Sequence, residues 1–501
     1  MKFRKTLAAL TAMCIAVPAA AATAASGLTP YITGDVNGDC VFNLADLVLF
    51  QRWLRGNTDI TISMGGDVNS DGIMDVFDLS AMRKMLINCI ASAPEPSYAP
   101  DSRNLCAGIS SSHAGGLAAD EKFINSQAEF TVEMFRKTYA ENKDPENTLI
   151  SPYSIMQALA MTANGANGKT RTEMENVLGG GMKMEQLNKY LLTQRLRTVN
   201  NNKSEYNDWQ IDTANSIWAI NDENRIKVRP TFLQNCIDYY DSEFYISPFD
   251  ETTLNDVNGW VNDKTHGMIP SILDNIDIYD VMYLVNAVAF EAQWEEPYFE
   301  YNMKESKFTA ADGSEQDADM LCSHERYIGD DDTDGMIKYY SGGNYAFAAL
   351  LPDENTTVDS FIENLTAEKL NGILNSNKDN KIEARVELPK FSYEYDNDLS
   401  EELVAMGMPT AFDAFADFSE MSSIANKNPI HIGAVIHKTF IELDENGTKA
   451  AAATLVAMRE NAVAPIEQKE IKDVVLDRPF VYCIIDTETK LPVFIGALNS
   501  L

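Results

Sequence analysis

Two twelve-residue stretches carry the densest chemistry in the chain: DVNGDCVFNLAD at 35–46 and DVNSDGIMDVFD at 67–78. Each places an oxygen-bearing side chain at its first, third, fifth, ninth and twelfth positions. In the first these are Asp35, Asn37, Asp39, Asn43 and Asp46; in the second, Asp67, Asn69, Asp71, Asp75 and Asp78. The backbone carbonyls of Val41 and Ile73 fall at the seventh position. A hard divalent cation needs several oxygens converging at about 2.3–2.6 Å, and this spacing wraps a loop around one Ca²⁺. A solvated acidic turn is the plain alternative for a single copy. Two copies in register, each running into an apolar-periodic helix (Leu47 to Phe50, Leu79 to Met82), favour a pair of calcium loops. The sharp-turn position holds Gly72 in the second loop and Cys40 in the first.

No comparable constellation for catalysis is present. The sequence contains no GxSxG, HExxH or phosphate-loop pattern. Its five histidines are His113, His266, His324, His431 and His437. With 75 acidic residues, carboxylate pairs cannot be singled out by spacing. The expectation is a protein that is not an enzyme. The formal charge of −35 argues against nucleic acid and against anionic membrane surfaces, which both need a basic face.

These residues require elements to hold them. The length of 501 residues and a 45% hydrophobic content imply two or three globular units. Residues 1–25 read as a secretory signal. Lys2, Arg4 and Lys5 precede a short apolar run from Leu7 to Val17, and Ala22-Thr23-Ala24 offers a cleavage site. That run is too short to span a bilayer core of about 30 Å, so a secreted, extracellular protein is expected. The repeats occupy residues 28–92. Residues 93–117, rich in Pro, Ser and Gly, read as a linker. Residues 118–501 mix helical and strand periodicity without regular alternation, an α+β pattern. Beyond Cys14 six cysteines remain. Cys40 and Cys89 share the small repeat unit and could pair; free thiols are the alternative.

The repeat pair resembles the dockerin family, modules that plug secreted proteins into the cohesin modules of a scaffold protein. The closing Asp and the single helix after each loop carry the likeness. The resemblance implies a small all-α module binding two Ca²⁺. It also implies cohesin recognition at Leu44, Ala45, Val76 and Phe77, flanked by Arg52 and Lys84. Core packing is the alternative for Phe77.

The large domain resembles the serpins, a family of protease inhibitors, through segments in the family's order. They are 147–174 with its Ser-Pro-x-Ser turn, TANSIW (213–218), 258–273, NAVAFEAQWEEPYF (286–299), VELPKF (386–391), AFADFSEM (414–421) and 477–498. The resemblance implies a serpin fold of three β-sheets with eight to nine helices and an exposed reactive-centre loop, with the serpin domain monomeric. It implies a hydrogen-bonded cluster under the main sheet at Ser151, Ser154, Asn215 and His437. Trp294 would stand where the loop begins to enter the sheet. A satisfied core histidine is nearly the same reading for His437.

The segment from Glu445 to Asp473 would then be the loop. Read alone, Lys449 to Glu460 also suits a short Ala-rich helix. Read as a strand, one face carries Thr448, Ala450, Ala452, Thr454, Val456 and Met458. The other carries Lys449, Ala451, Ala453, Leu455, Ala457 and Arg459. The first face is small and uncharged until Glu460, which suits a strand entering between two others. Gly447 reads as a freely bending hinge. Family spacing from Glu445 puts the scissile bond at Asn461–Ala462. The stretch from Ala462 to Asp473 is longer than the family usually shows, which leaves Met458, Arg459 and Glu460 as alternatives. The resemblance implies a suicide substrate for a serine or cysteine protease, held on a cellulosome scaffold. The runner-up is a non-inhibitory serpin acting as a binding or structural module.

Overall fold

The computed structural model describes residues 34, 36, 44–54, 66–68, 73–75, 78–79, 81–84, 102–112, 115–141, 147–202, 209–276, 281–378, 380–425, 430–448 and 469–501. The chain divides into two units, residues 1–99 and 100–501. In the first, helix α1 (Leu44–Leu54) follows the first acidic loop. Its Leu47 and Phe50 pack with Val36 and Met82 in a small core. Trp53 stacks on Phe50 with ring centroids 5.8 Å apart. Helical spacing and the repeat thus bring both halves of the module to one apolar centre.

The second unit carries nine α-helices among the described residues: α2 (Glu121–Glu141), α3 (Pro152–Ala163), α4 (Gly168–Gly179), α5 (Met184–Asn202), α6 (Pro230–Asn235), α7 (Glu251–Lys264), α8 (Val358–Glu363), α9 (Ala367–Leu374) and α10 (Ser400–Met406). Helix α6 runs on into one π turn, Cys236–Tyr240. Helix α3 is buried along its whole length, as its sequence PYSIMQALAMTA allows, with almost no polar face. It starts where the Ser151 side chain caps the Ser154 N–H and Pro152 takes the first turn.

Strands β1 (Arg103–Asn104), β4 (Glu243–Ser247), β3 (Trp209–Ile220), β5 (Met282–Gln293), β13 (Gly447–Thr448), β12 (Ala434–Leu443) and β11 (Phe391–Asp398) form one seven-stranded sheet in that order. Residues 102–112 fall inside the stretch expected as linker, but their strand pairing and hydrogen bonds place them on this unit. The second sheet runs β14 (Glu470–Val475), β10 (Ile382–Pro389), β7 (Glu315–Gly329), β8 (Thr333–Tyr339), β9 (Tyr345–Pro352), β15 (Phe480–Asp486), β16 (Pro492–Leu498) and β2 (Thr148–Ile150), with β6 (Met303–Thr309) also on β7. Counted by continuous hydrogen bonding, the described strands make two sheets where three were expected. The physical reason is β7: its early part pairs β6 and β10, and its last four residues pair β8.

Strand β5 is buried on both faces, which explains its nearly unbroken apolar run. Tyr283, Val285 and Ala287 face a core shared with Val257 and Val261 of α7. Met282, Leu284, Val288, Phe290 and Ala292 face the larger core, which includes α3. By that parity Asn286 points to the α3 side, a polar residue in an apolar row.

Candidate functional site

In the first unit the twelfth-position acids of both loops do the same work. Asp46 is buried and its Oδ1 accepts from the Val36 N–H at 3.0 Å. Asp78 is buried and its Oδ1 accepts from the Val68 N–H at 2.9 Å. Asp78 Oδ2 also accepts from the Asp75 N–H at 2.9 Å. Each loop is closed from its last residue to its second. Asp67 and Ile73 lie in two separate described stretches of the second loop, 66–68 and 73–75. Leu44 and Ala45 open α1, and Arg52 and Lys84 are exposed. Asp35, Asn37, Asp39, Val41, Asn43, Asn69, Asp71, Val76 and Phe77 lie outside the described residues.

In the second unit, a row of polar side chains crosses the first sheet at one level. Antiparallel pairing sets Asn215 of β3 opposite Asn286 of β5, and parallel pairing sets Asn286 beside His437 of β12. Asn286 Nδ2 donates to Asn215 Oδ1 and, at 2.5 Å, to Ser154 Oγ on α3. The Ser151 N–H donates to His437 Nε2 at 3.1 Å. That fixes the other ring nitrogen as donor, so His437 Nδ1–H bonds Asn286 Oδ1 at 2.5 Å. Ser151 Oγ donates to the Val493 carbonyl at 2.8 Å. Buried polar groups are costly unless paired, and here each has a partner. Burial alone drives the His437 pKa down to about 3, so the ring is neutral and serves as a structural link. All four residues expected in this cluster meet here. The hub, Asn286, was not among them; its signal was one amide inside the run Tyr283–Phe290.

At the end of β5 the sheet parts. Over 434–439, β12 pairs directly with β5. Above that, β13 lies between them, with Thr448 opposite Ala292 on one side and Leu443 on the other. The chain reaches this slot through a turn capped by Asp444, whose Oδ1 accepts from the Asn446 and Gly447 N–H groups at 2.7 and 3.1 Å. Glu445 pairs with Lys390 at 2.8 Å, which holds its carboxyl below the usual range.

Trp294 fastens the turn. Its backbone N–H donates to the Asn446 carbonyl at 2.8 Å and its indole N–H to the Asp444 carbonyl at 3.0 Å. It stacks on Tyr340 with centroids 4.5 Å apart, and the Tyr340 hydroxyl bonds Thr448 Oγ1 at 2.6 Å. Thr448 is 1% exposed. Gly447 lies in extended strand here, and a Cβ there would collide with the Ala292 carbonyl, a second reason for Gly that the sequence does not show. Ala450, Ala451, Ala452, Ala453, Thr454, Met458, Arg459, Glu460, Asn461 and Ala462 lie outside the described residues.

Comparisons with known proteins agree with this geometry. The family model for "Serpin (serine protease inhibitor)" matches residues 125–501, and that for "Dockerin type I domain" matches 33–89. An uncharacterized serpin-like protein of Thermococcus kodakarensis is 29% identical over 387 residues, 76% of this chain and 86% of that protein. The leukocyte elastase inhibitor of Bos taurus is 29% identical over 394 residues, 76% of this chain and all of that protein. The native-state crystal structure of tengpin, a thermophilic serpin, superposes with a TM-score of 0.72 at 41% identity. It covers 80% of this chain and 100% of its own.

Proposed function

Because the chain belongs to the serpin family and carries a type I dockerin domain, we propose that it is a secreted protease inhibitor held on a cellulosome-type scaffold. One observation carries the inhibitory reading. The strand that begins the loop already occupies the gap between β5 and β12, while six residue pairs and the Asn286–His437 bond keep the rest of that gap closed. Cleavage of the loop by a serine or cysteine protease frees the segment after Thr448 to continue down the same gap. The acyl-enzyme is carried along before water releases it, so inhibition is a race between insertion and deacylation. The favoured bond is Asn461–Ala462, and the domain acts as a monomer.

Type I dockerins are calcium modules that bind cohesins. The donor set here is all oxygen and suits a hard cation. Asp35, Asn37, Asp39, Asn43 and Asp46 would hold one ion with the Val41 carbonyl. Asp67, Asn69, Asp71, Asp75 and Asp78 would hold a second with the Ile73 carbonyl. Leu44, Ala45, Val76 and Phe77, with Arg52 and Lys84, would face the cohesin. Residues 1–25 direct export.

The test is a panel of serine and cysteine proteases. An inhibitor gives an SDS-resistant adduct and releases one peptide, whose mass fixes the scissile bond. Thr448→Arg puts a long cation where the side chain is buried, and is expected to turn the inhibitor into a substrate. Stoichiometric trapping by that variant refutes insertion. Clean cleavage of the unmodified protein with no adduct favours a non-inhibitory serpin.

A further inference from the structure

We propose that Lys338, held by Glu325, is a positioning residue for loop entry: the buried pair fixes the turn at 444–446 and thereby sets the register in which the strand after Thr448 enters the gap. This role rests on the inhibitory reading above and deepens it. Strands β7 and β8 pair with Arg326 opposite Ile337. The next two residues, Glu325 and Lys338, meet as an ion pair at 2.7 Å, with side chains 13% and 5% exposed. Among the described residues Lys338 is the only buried lysine or arginine.

Taking two charges out of water is expensive, and a well-packed apolar pair of similar volume is often as stable or more so. The best-attested use of such a pair is to specify one arrangement among several. Here the arrangement is that of two rings around the ammonium. Lys338 Nζ lies 4.4 Å from the Tyr298 ring centroid and 5.6 Å from that of Trp294. Both distances are within reach of attraction between a cation and an aromatic face. Glu325 holds the ammonium, and the Tyr298 hydroxyl bonds Ser323 Oγ of the same strand at 3.1 Å.

The same two residues carry the turn that starts the loop. The Tyr298 N–H donates to the Glu445 carbonyl at 2.9 Å and the Trp294 N–H to the Asn446 carbonyl at 2.8 Å. The Trp294 indole N–H donates to the Asp444 carbonyl at 3.0 Å. Three consecutive carbonyls thus hang on two residues whose rings lie against one ammonium. The turn leads straight into β13, the upper end from which insertion would propagate. Register matters there, because a slip of one residue exchanges the two faces of a strand. Keeping Thr448 inward brings Ala450, Ala452 and Thr454 in with it, whereas a one-residue slip would bring in Lys449 and Arg459. A turn that yields by one residue's rise, about 3.4 Å, would stall the strand and let deacylation win.

The test compares full chains of the wild type, Lys338→Met/Glu325→Leu and Lys338→Arg. Each is melted intact and again after loop cleavage with trace subtilisin. Each is also titrated with the protease panel for its share of SDS-resistant adduct. The intact double variant is expected to melt no lower than the wild type, because an apolar pair replaces a buried ionic one. It is nonetheless expected to give about fivefold less adduct per cleaved molecule and a smaller rise in melting temperature on cleavage. Lys338→Arg keeps the charge and is expected to stay near the wild type. A lower melting temperature with an unchanged adduct share marks a purely structural pair and overturns the proposal. Equal adduct shares and equal rises in wild type and double variant overturn it too, and leave the inhibitory reading standing. A wild type whose melting temperature does not rise on cleavage overturns the inhibitory reading and this role with it.

Discussion

His437 gives the most direct test of the polar row. Its ring is neutral in the folded protein, with a pKa of about 3 set by burial, against an ordinary value of about 6.5. Unfolding exposes the ring, so below pH 6.5 the unfolded chain binds a proton that the folded one does not. Stability from this group is full above about pH 6.5 and is lost as pH falls toward 3. Each pH unit in that window is worth about 1.4 kcal/mol, so lowering the pH to 5 costs about 2 kcal/mol. Other groups titrate too, so the measurement is a difference. Urea unfolding is followed between pH 7.5 and 4.5 for the wild type and for His437→Gln, whose amide can both donate to Asn286 and accept from Ser151. The variant is expected to lose about 2 kcal/mol less between pH 7 and 5. Parallel curves would refute the reasoning, because the ring would then be titrating in the fold or not buried by it.

Three further outcomes follow from the same geometry. Asn286→Ala removes bonds to Ser154, Asn215 and His437 together and leaves buried polar atoms unmet, a loss of roughly 3 kcal/mol in urea unfolding. Gly447→Ala forces β13 away from the Ala292 carbonyl and is expected to cost about 1–3 kcal/mol, read as a lower melting temperature. Removing calcium with a chelator is expected to abolish cohesin capture while leaving protease trapping unchanged. Equal loss of both activities would contradict two independent modules.

Much of the site was legible because it depends on local rules. The two loops announce themselves by oxygen spacing, and the Ser151 cap by a Ser-Pro step before an apolar helix. The strand carrying Asn286 reads as a nearly apolar run because it is buried on both faces, whereas the strand carrying Asn215 is legible only through the TANSIW resemblance. What escaped depends on contacts between distant segments. Asn286 reads as a blemish in a strand until His437 and Ser154 are placed beside it. A second reason for Gly447 lies in the Ala292 carbonyl, far away in sequence. Residues 102–112 carry linker composition, and only their pairing with β4 makes them part of a sheet. The long β7 merges two expected sheets because strand length sets where hydrogen bonding continues, and composition does not report it.

The direction of β13 explains why the gap has somewhere to go. β5 and β12 run parallel where they touch, over 434–439. β13 is antiparallel to both. A strand that continues β13 downward therefore replaces one parallel junction with two antiparallel ones. Backbone groups exposed by parting β5 from β12 find partners on the incoming strand, and its own groups find partners on both sides. Antiparallel ladders are slightly the more stable per residue. The opposing term is local: the Asn286–His437 bond and its partners must break before the gap can widen past their level. The closed sheet is thus held by a short buried polar row, while an inserted strand, as proposed, would gain along its whole length. This arrangement fits a barrier rather than a minimum, and persistence of the closed form is then a matter of rate.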